Sequence, residues 1–380
     1  MDNVFHFKYD LVTNFRNGLA WVKKKDKWGA VDKNGNIRCD FIYDAVKLYN
    51  GNKQYSIVGK NKYFGAIDNV TGNTILDFIY TDIKVIDENY FSVSNDQYNY
   101  DKYYYLIDKD RNNIIRSKYH TRDFYKLTDD IIMTSVPTED FLVHPFAYFY
   151  YSLTKQEFLD IPSEVCILHF EEGFSTCFGA PNAKYCYIDK NLNRITDFIF
   201  EDAYDFHNGY AICKIYNKYG VIDNYANIII PFKYDYLSTY DGIWYSYKKK
   251  NLFQSEKKLP QGVMDINRQV RIKPKYKYVS PFKVKSNITV AANLYGHKGI
   301  INKKDEQIIC PSHQYKNLDI NENIIIASYN NSSYNNYFDE FGDLKIRNIK
   351  NGSVFIDGFA QAEDENGKFG FINTNGEQAF

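Results

Sequence analysis

The sequence predicts an all-β chain: an array of about ten repeats of ~38 residues, with a closed propeller-like ring as the favoured closure. Three observations lead there. The stretch Lys27–Asn36, KWGAVDKNGN, recurs along the chain instead of occurring once, as a lone site would. Rings are abundant, with 36 Tyr and 28 Phe, and Tyr and Phe suit the pleated, half-buried surface of a strand. Each end of the chain carries part of a repeat, and the two parts are complementary. An open β-solenoid and two smaller rings are the alternative arrangements.

Aligned on Asp32, the same position returns at Asp68, Asp108, Ser152, Asp189, Asp223, Asp265, Asn302, Asp339 and Asn373. The residue just before it is always apolar or aromatic, from Val31 and Ile67 to Phe338 and Ile372. Three before it stands Gly29, Gly65, Gly220, Gly262, Gly299 or Gly370 in six of the ten repeats. Four before it there is usually a ring: Trp28, Phe64, Tyr104, Tyr148, Tyr185, Tyr219 and Phe369. A polar turn follows, as in DKNGN, DKNLN and DNYAN. Asp and Asn suit such turns because their short side chains bond their own backbone, while Gly and Asn tolerate positive φ.

A second block comes after each turn, as in FIYDAVKLYNG (41–51), FIYTDI (78–83), FIFEDAYDFHNG (198–209) and PFKYDYL (231–237). A third block, such as LAWVK, YAICK or FAQAE, opens the next repeat. Each repeat therefore reads as three or four strands of about 4–6 residues between Gly, Asn and Asp turns. Repeat four, FAYFYYSLTKQEF, matches the pattern least. Trp28 is expected in the repeat core, where truncation to Ala would cost about 3–5 kcal/mol.

These segments resemble the WG repeat family, whose Trp-Gly pair stands here as Trp28 and Gly29. The carriers are KWGAVDKNG with Asp32, YFGAIDNVTG with Phe64, Gly65 and Asp68, KYGVIDNYAN with Tyr219, Gly220 and Asp223, HKGIINKKDE, and KFGFINTNGE with Phe369 and Gly370. Trp occurs once at its position, Tyr or Phe usually replacing it, and repeats three, four and nine lack the Gly. The resemblance implies a bacterial repeat protein without an assigned reaction.

The chain reads as one array over residues 1–380. Its start, FKYDLVTNFRNG within 1–18, is the second half of a repeat, and 359–380 is the first half of one. Sharing a repeat between the two ends would remove two exposed strand edges.

The balance of 47 basic and 47 acidic residues argues against a globally basic nucleic-acid binder. The start MDNVFHFKYD has neither a basic nor an apolar leader region, and no run approaches 18 apolar residues, so a cytoplasmic protein without a membrane span is expected. Cys39, Cys166, Cys177, Cys186, Cys213 and Cys310 form no CxxC. Cys177 and Cys213 each follow a Gly by four residues, in GFSTC and GYAIC, which points to one buried strand position. The seven His are dispersed, with no HExxH or HxH pair, and no P-loop, GxGxxG or GxSxG is present. DKNGN resembles an oxygen-rich calcium loop but carries a single carboxylate. No cofactor, metal or catalytic residue is assigned.

Insertions cluster at one repeat position. The connection before the reference residue is short from Val22 to Asp32 and from Ile212 to Asp223. It is long from Val93 to Asp108, Met133 to Ser152 and Ser246 to Asp265. In a repeat stack one position maps to one face, and long loops on one face commonly form a binding surface. Candidate partner-binding residues are Tyr98, Tyr100 and Tyr103 in repeat three, and Phe141 and Phe146 in repeat four. Repeat seven adds Lys248, Lys249, Lys250, Lys257 and Lys258, and the stretch SYNNSSYNNYF (328–338), read as a loop, adds Tyr334 and Tyr337. The expected function is a non-catalytic scaffold for a protein partner. A glycan-binding module, using Tyr and Asn, and a hydrolase with carboxylates gathered from several repeats are the alternatives.

Overall fold

The computed structural model describes residues 5–47, 54–95, 104–116, 124–137, 146–162, 165–179, 184–250 and 259–380. Among them there is no helix, and the strands form nine antiparallel sheets. Repeat two shows the plan. Strands Ala45–Lys47, Tyr55–Lys60, Tyr63–Asp68 and Thr74–Tyr80 lie side by side in sequence order. Seven of the nine sheets have four strands in this way, and the second block of the sequence splits into a fourth strand and the first strand of the next repeat. Ten reference positions share nine sheets because the strand Leu344–Lys350 closes repeat nine while its last residue, Lys350, pairs with Glu363 of repeat ten. By contacts the chain forms two compact units, Met1–Glu164 with Ile349–Phe380, and Val165–Asn348.

Local sequence explains the hairpins. Two-residue turns with positive φ at both positions match the right-handed twist of paired strands. First and second strands are joined through Asn17–Gly18, Glu172–Gly173, Asn208–Gly209 and Asp357–Gly358. Glu322–Asn323 does the same in repeat nine, while second and third strands are joined through Lys25–Asp26, Asn61–Lys62 and Tyr216–Asn217. The turn after the third strand is held by the reference residue. Asp223 Oδ1 accepts from the backbone N–H of Tyr225 (2.9 Å) and Asn227 (2.8 Å), and Oδ2 from the Asn227 amide (2.9 Å). Asp32, Asp189, Asn302, Asp339 and Asn373 repeat the two backbone bonds to Oδ1.

The third strand is buried on both faces. Two residues before the reference stand Ala30, Ala66, Leu106, Tyr150, Tyr187, Val221, Val263, Ile300, Tyr337 and Phe371, all buried. One before it, Val31, Ile67, Ile107, Ile188, Ile222, Met264, Ile301 and Ile372 are buried as well. Successive strand residues point to opposite faces, so each sheet is covered on both sides. The cores follow one rule: the inner residue of one repeat packs with the next repeat's opposite-face residue. Ala30 shares a core with Ile67, Ala66 with Ile107, Val221 with Met264, and Val263 with Ile301. Phe371 of repeat ten shares its core with Val31 of repeat one, so the last and first repeats meet as consecutive ones do. Small four-stranded sheets stacked face to face in this way are β-propeller blades.

The glycine has a steric cause. A Cβ on Gly220 would lie 2.8 Å from the Ile230 carbonyl oxygen and 2.9 Å from the Phe232 ring. The fourth strand shifts register beside the glycine and lays its ring on the bare Cα. Where the glycine is missing the fourth strand changes. Cys186 replaces it in repeat five, where two isolated bridges, Tyr185 to Phe200 and Ile188 to Arg194, stand in place of a strand. Phe149 replaces it in repeat four, whose fourth strand is Glu157–Phe158. In repeat nine Asn336 Oδ1 accepts the N–H of Asn348 (2.8 Å), which bulges at φ +53°.

Two expectations need correction. Trp28 is half-buried at a core rim, paired with Tyr43 on the neighbouring strand. The core tryptophan is Trp21, which is buried and donates its indole N–H to Ser56 Oγ at 2.8 Å. The stretch 328–338 is a hairpin of Ile324–Tyr329 and Tyr334–Phe338, in which Tyr337 fills the buried position two before Asp339. Its ring belongs to the core and offers a partner nothing. Repeat four, the weakest match, has four strands, as repeat three does. Cys177 and Cys213 are buried at the equivalent position, as expected, and burial pushes the Cys213 thiol up.

Candidate interaction face

At four places the connections between second and third strands are tied together by an acidic residue standing where the fourth strand hands over to the next repeat, a position taken by Thr81 and Lys277 elsewhere. Asp235 accepts from Lys218 Nζ (2.5 Å), at the end of the repeat-six hairpin, and from the backbone N–H of Lys250 (2.5 Å), at the root of the repeat-seven hairpin. Asp44 joins Lys27 of repeat one to the Asn61 N–H of repeat two (2.9 Å). Asp10 joins Lys368 (2.5 Å) to the Lys25 N–H (2.8 Å). Glu201 reaches Lys184 (3.7 Å) and the Asn217 N–H (2.9 Å). Successive hairpins therefore rise side by side from shared carboxylates. The Lys368 ammonium beside Asp10 and the Lys27 ammonium beside Asp44 hold those carboxyls below their ordinary range. At Asp235 burial pushes upward, but Lys218 and the Lys250 N–H outweigh it and the net shift is downward. The acid after FIY at 41–43, FIF and FKY was present in the repeat alignment, yet its role needed the hairpin it grips.

The long connections occupy this same position within their repeats. They join Tyr90–Ser94 to Tyr105–Asp108, Ile131–Pro137 to Phe146–Ser152, and Trp244–Lys248 to Gln261–Asp265. The short connections beside the last of these carry exposed rings. In repeat six the turn residue Tyr216 is 89% exposed; in repeat eight Tyr295 is 86% and Leu294 66% exposed. Sequence reasoning missed these three, because a single Tyr in a tight turn does not register as an insertion. Three successive repeats of one unit thus present Tyr216, Lys249 with Lys250, and Leu294 with Tyr295.

The candidate residues divide as follows. Tyr98, Tyr100, Tyr103, Phe141, Lys257 and Lys258 lie outside the described residues. Phe146 is half-buried where it opens its strand, opposite Pro137. Lys248 is half-buried, its ammonium 5.6 Å from the Tyr236 ring centre. Lys249 is exposed, and Lys250 is exposed with its backbone held by Asp235. Tyr334 is half-buried in a strand, and Tyr337 is core. The signature residues are structural. Trp28, Phe64, Tyr219 and Phe369 pair with Tyr43, Tyr80, Tyr234 and Tyr9, and Gly29, Gly65, Gly220 and Gly370 receive the rings of Phe41, Phe78, Phe232 and Phe7.

Among solved structures, a eukaryotic initiation factor is similar at 12% identity over 81% of this chain and 88% of its own, with a TM-score of 0.48. The uncharacterized protein lmo1340 from Listeria monocytogenes is similar at 10% identity over 68% of this chain and 91% of its own, with a TM-score of 0.32. An acylaminoacyl peptidase of Pyrococcus horikoshii is similar at 13% identity over 75% of this chain and 57% of its own, also with a TM-score of 0.32. No curated protein matches the sequence. Six segments, 2–28, 28–63, 64–102, 185–219, 219–252 and 262–290, match the family described as WG containing repeat, and together they span more than half of the chain. With the glycine, its overlying ring and the Asp turn all in place, the chain belongs to the WG-containing-repeat family.

Proposed function

We propose that this chain is a non-catalytic scaffold that captures a protein partner on the edge formed by its second-to-third-strand hairpins. One observation carries the reading: Tyr216, Leu294 and Tyr295 stand exposed at the same repeat position, in the repeats before and after the long connection of repeat seven. Exposed rings on tight turns contribute little to folding but supply rigid, amphipathic contact area at low entropic cost. Lys248, Lys249 and Lys250 lead into that hairpin, so a partner surface with carboxylates beside an apolar patch complements it.

The test is capture of partners from native lysate by the full chain, by a Tyr216→Ser/Tyr295→Ser variant, and by a variant with residues 251–258 replaced by Asn-Gly. Both changes should keep the unfolding midpoint and deplete the same captured protein. Capture unchanged in both variants would remove this edge from consideration. The double Tyr variant separates loss of contact from any disturbance caused by shortening the hairpin.

A further inference from the structure

The Val165–Asn348 unit contains a cavity of about 390 Å³ that the interaction edge does not use. That volume falls within the ~300–1,000 Å³ range of small-ligand sites. Ile288 and Leu318, both buried, supply apolar wall. At its rim stand Tyr240, 51% exposed, and Tyr278, 43% exposed. The Tyr278 hydroxyl shares a hydrogen bond with Ser280 Oγ at 2.6 Å. On another wall Lys298 Nζ donates to Asn317 Oδ1 (2.8 Å), and the Asn317 amide donates to Asp319 Oδ2 (2.6 Å). Asp319 Oδ1 has no partner among the described residues, and the Lys283 ammonium, 5.9 Å from the Tyr240 ring centre, faces no carboxylate among them.

The lining selects a chemical class. An anion would meet Lys283 and Lys298 but also the free oxygen of Asp319. A cation would meet the reverse. A neutral polyol satisfies both, because each hydroxyl donates and accepts: it can give its proton to a carboxylate or amide oxygen and accept from an ammonium or amide N–H. Flat rings at the rim stack on the C–H face of a pyranose, and the Asn317–Asp319 pair offers an acceptor and a donor side by side for adjacent hydroxyls. We infer that this cavity is a binding site for a neutral saccharide, stacked on Tyr240 or Tyr278 and held by Lys298, Asn317 and Asp319.

The full chain should be titrated calorimetrically with glucose, galactose, N-acetylglucosamine, cellobiose and maltose, and separately with inorganic phosphate. At least one sugar should bind, and Tyr240→Ala and Asp319→Asn should each weaken it about tenfold or more. Both side chains are exposed, so the unfolding midpoint should hold in each variant, which distinguishes lost contact from lost fold. A panel without sugar binding overturns the inference. So does sugar binding indifferent to both substitutions, or a site that takes phosphate in preference. Binding should persist when residues 251–258 are replaced, so this outcome and the scaffold reading fail or stand separately.

Discussion

Phe369 donates its backbone N–H to the carbonyl oxygen of Tyr9 at 2.8 Å, so the two ends of the chain meet in one strand pair. The pair is the counterpart of Trp28 with Tyr43 and of Phe64 with Tyr80 inside continuous repeats. The fourth strand of repeat ten is therefore split. Its first part comes from the C-terminus, where Ala379 N–H reaches the Phe371 carbonyl (2.9 Å), and its second part from the N-terminus. The Gln378 amide spans the cut, donating to the His6 carbonyl (3.1 Å) and accepting from the His6 N–H (3.0 Å).

If that split strand closes the unit, the N-terminal segment carries core weight. Phe7 is 7% exposed, with its ring over Gly370 as Phe41 lies over Gly29. Phe7→Ala should cost about 3–5 kcal/mol in urea unfolding. Leu11→Ala, at a residue 45% exposed, should stay within about 0.5 kcal/mol. Equal effects from the two would mean that the N-terminus is not docked.

The repeat glycine should tolerate no side chain. A Cβ at Gly220 meets backbone oxygen and an aromatic ring below 3.0 Å, and neither neighbour is the free end of a flexible chain. Gly220→Ala should destabilise by about 1–3 kcal/mol through forced backbone shifts. Thermal unfolding would show it. An unchanged midpoint would contradict the steric account of the Gly position.

Acid should loosen the hairpin edge. Asp10 and Asp44 are held below the ordinary carboxylate value in the folded chain, chiefly by Lys368 and Lys27. The unfolded chain therefore takes up protons first as pH falls. The stability these groups supply is complete above the unfolded value, near pH 4, and is lost as pH drops through the lower folded values. Urea midpoints should fall between about pH 5 and pH 3, and the Asp10→Asn/Asp44→Asn variant should show a shallower fall. Equal slopes in the two proteins would assign acid sensitivity to other carboxylates.

Much of the fold was legible because its signals are local. The Asp turn, the two-residue hairpins and the paired apolar residues before Asp32 each follow from a few neighbouring side chains. The second block hid its strand boundary at Asp44, because nothing in FIYDAVK breaks the alternation; the boundary is set by Lys27 and Asn61, which come from two other hairpins. Tyr337 was misplaced for a related reason. Asn and Ser around it read as loop, whereas its distance from Asp339 puts it at the core position that Ala30 fills elsewhere. The interaction edge was legible through its insertions and not through Tyr216 or Tyr295. The cavity was not legible at all, since Tyr240, Lys298 and Asp319 belong to three repeats and share no pattern.

The Asp turns also hold strain that substitution can release. The residue three after the reference is left-handed at Gly35 (φ +79°), Gly342 (+89°) and Gly376 (+81°), but the same place is taken by Leu192 (+68°) and Ala226 (+66°). A side chain there costs about 1–2 kcal/mol against a glycine. Glycine returns about 0.4–1 kcal/mol of that through greater freedom of the unfolded chain. Ala226→Gly should therefore raise stability by about 0.5–1 kcal/mol. Ala226→Val should lower it, because a β-branched side chain fits positive φ worst of all. Chemical denaturation of the two variants against the parent decides the matter, and a Gly variant less stable than Ala would show that the turn is set by Asp223 and Asn227 without strain at residue 226.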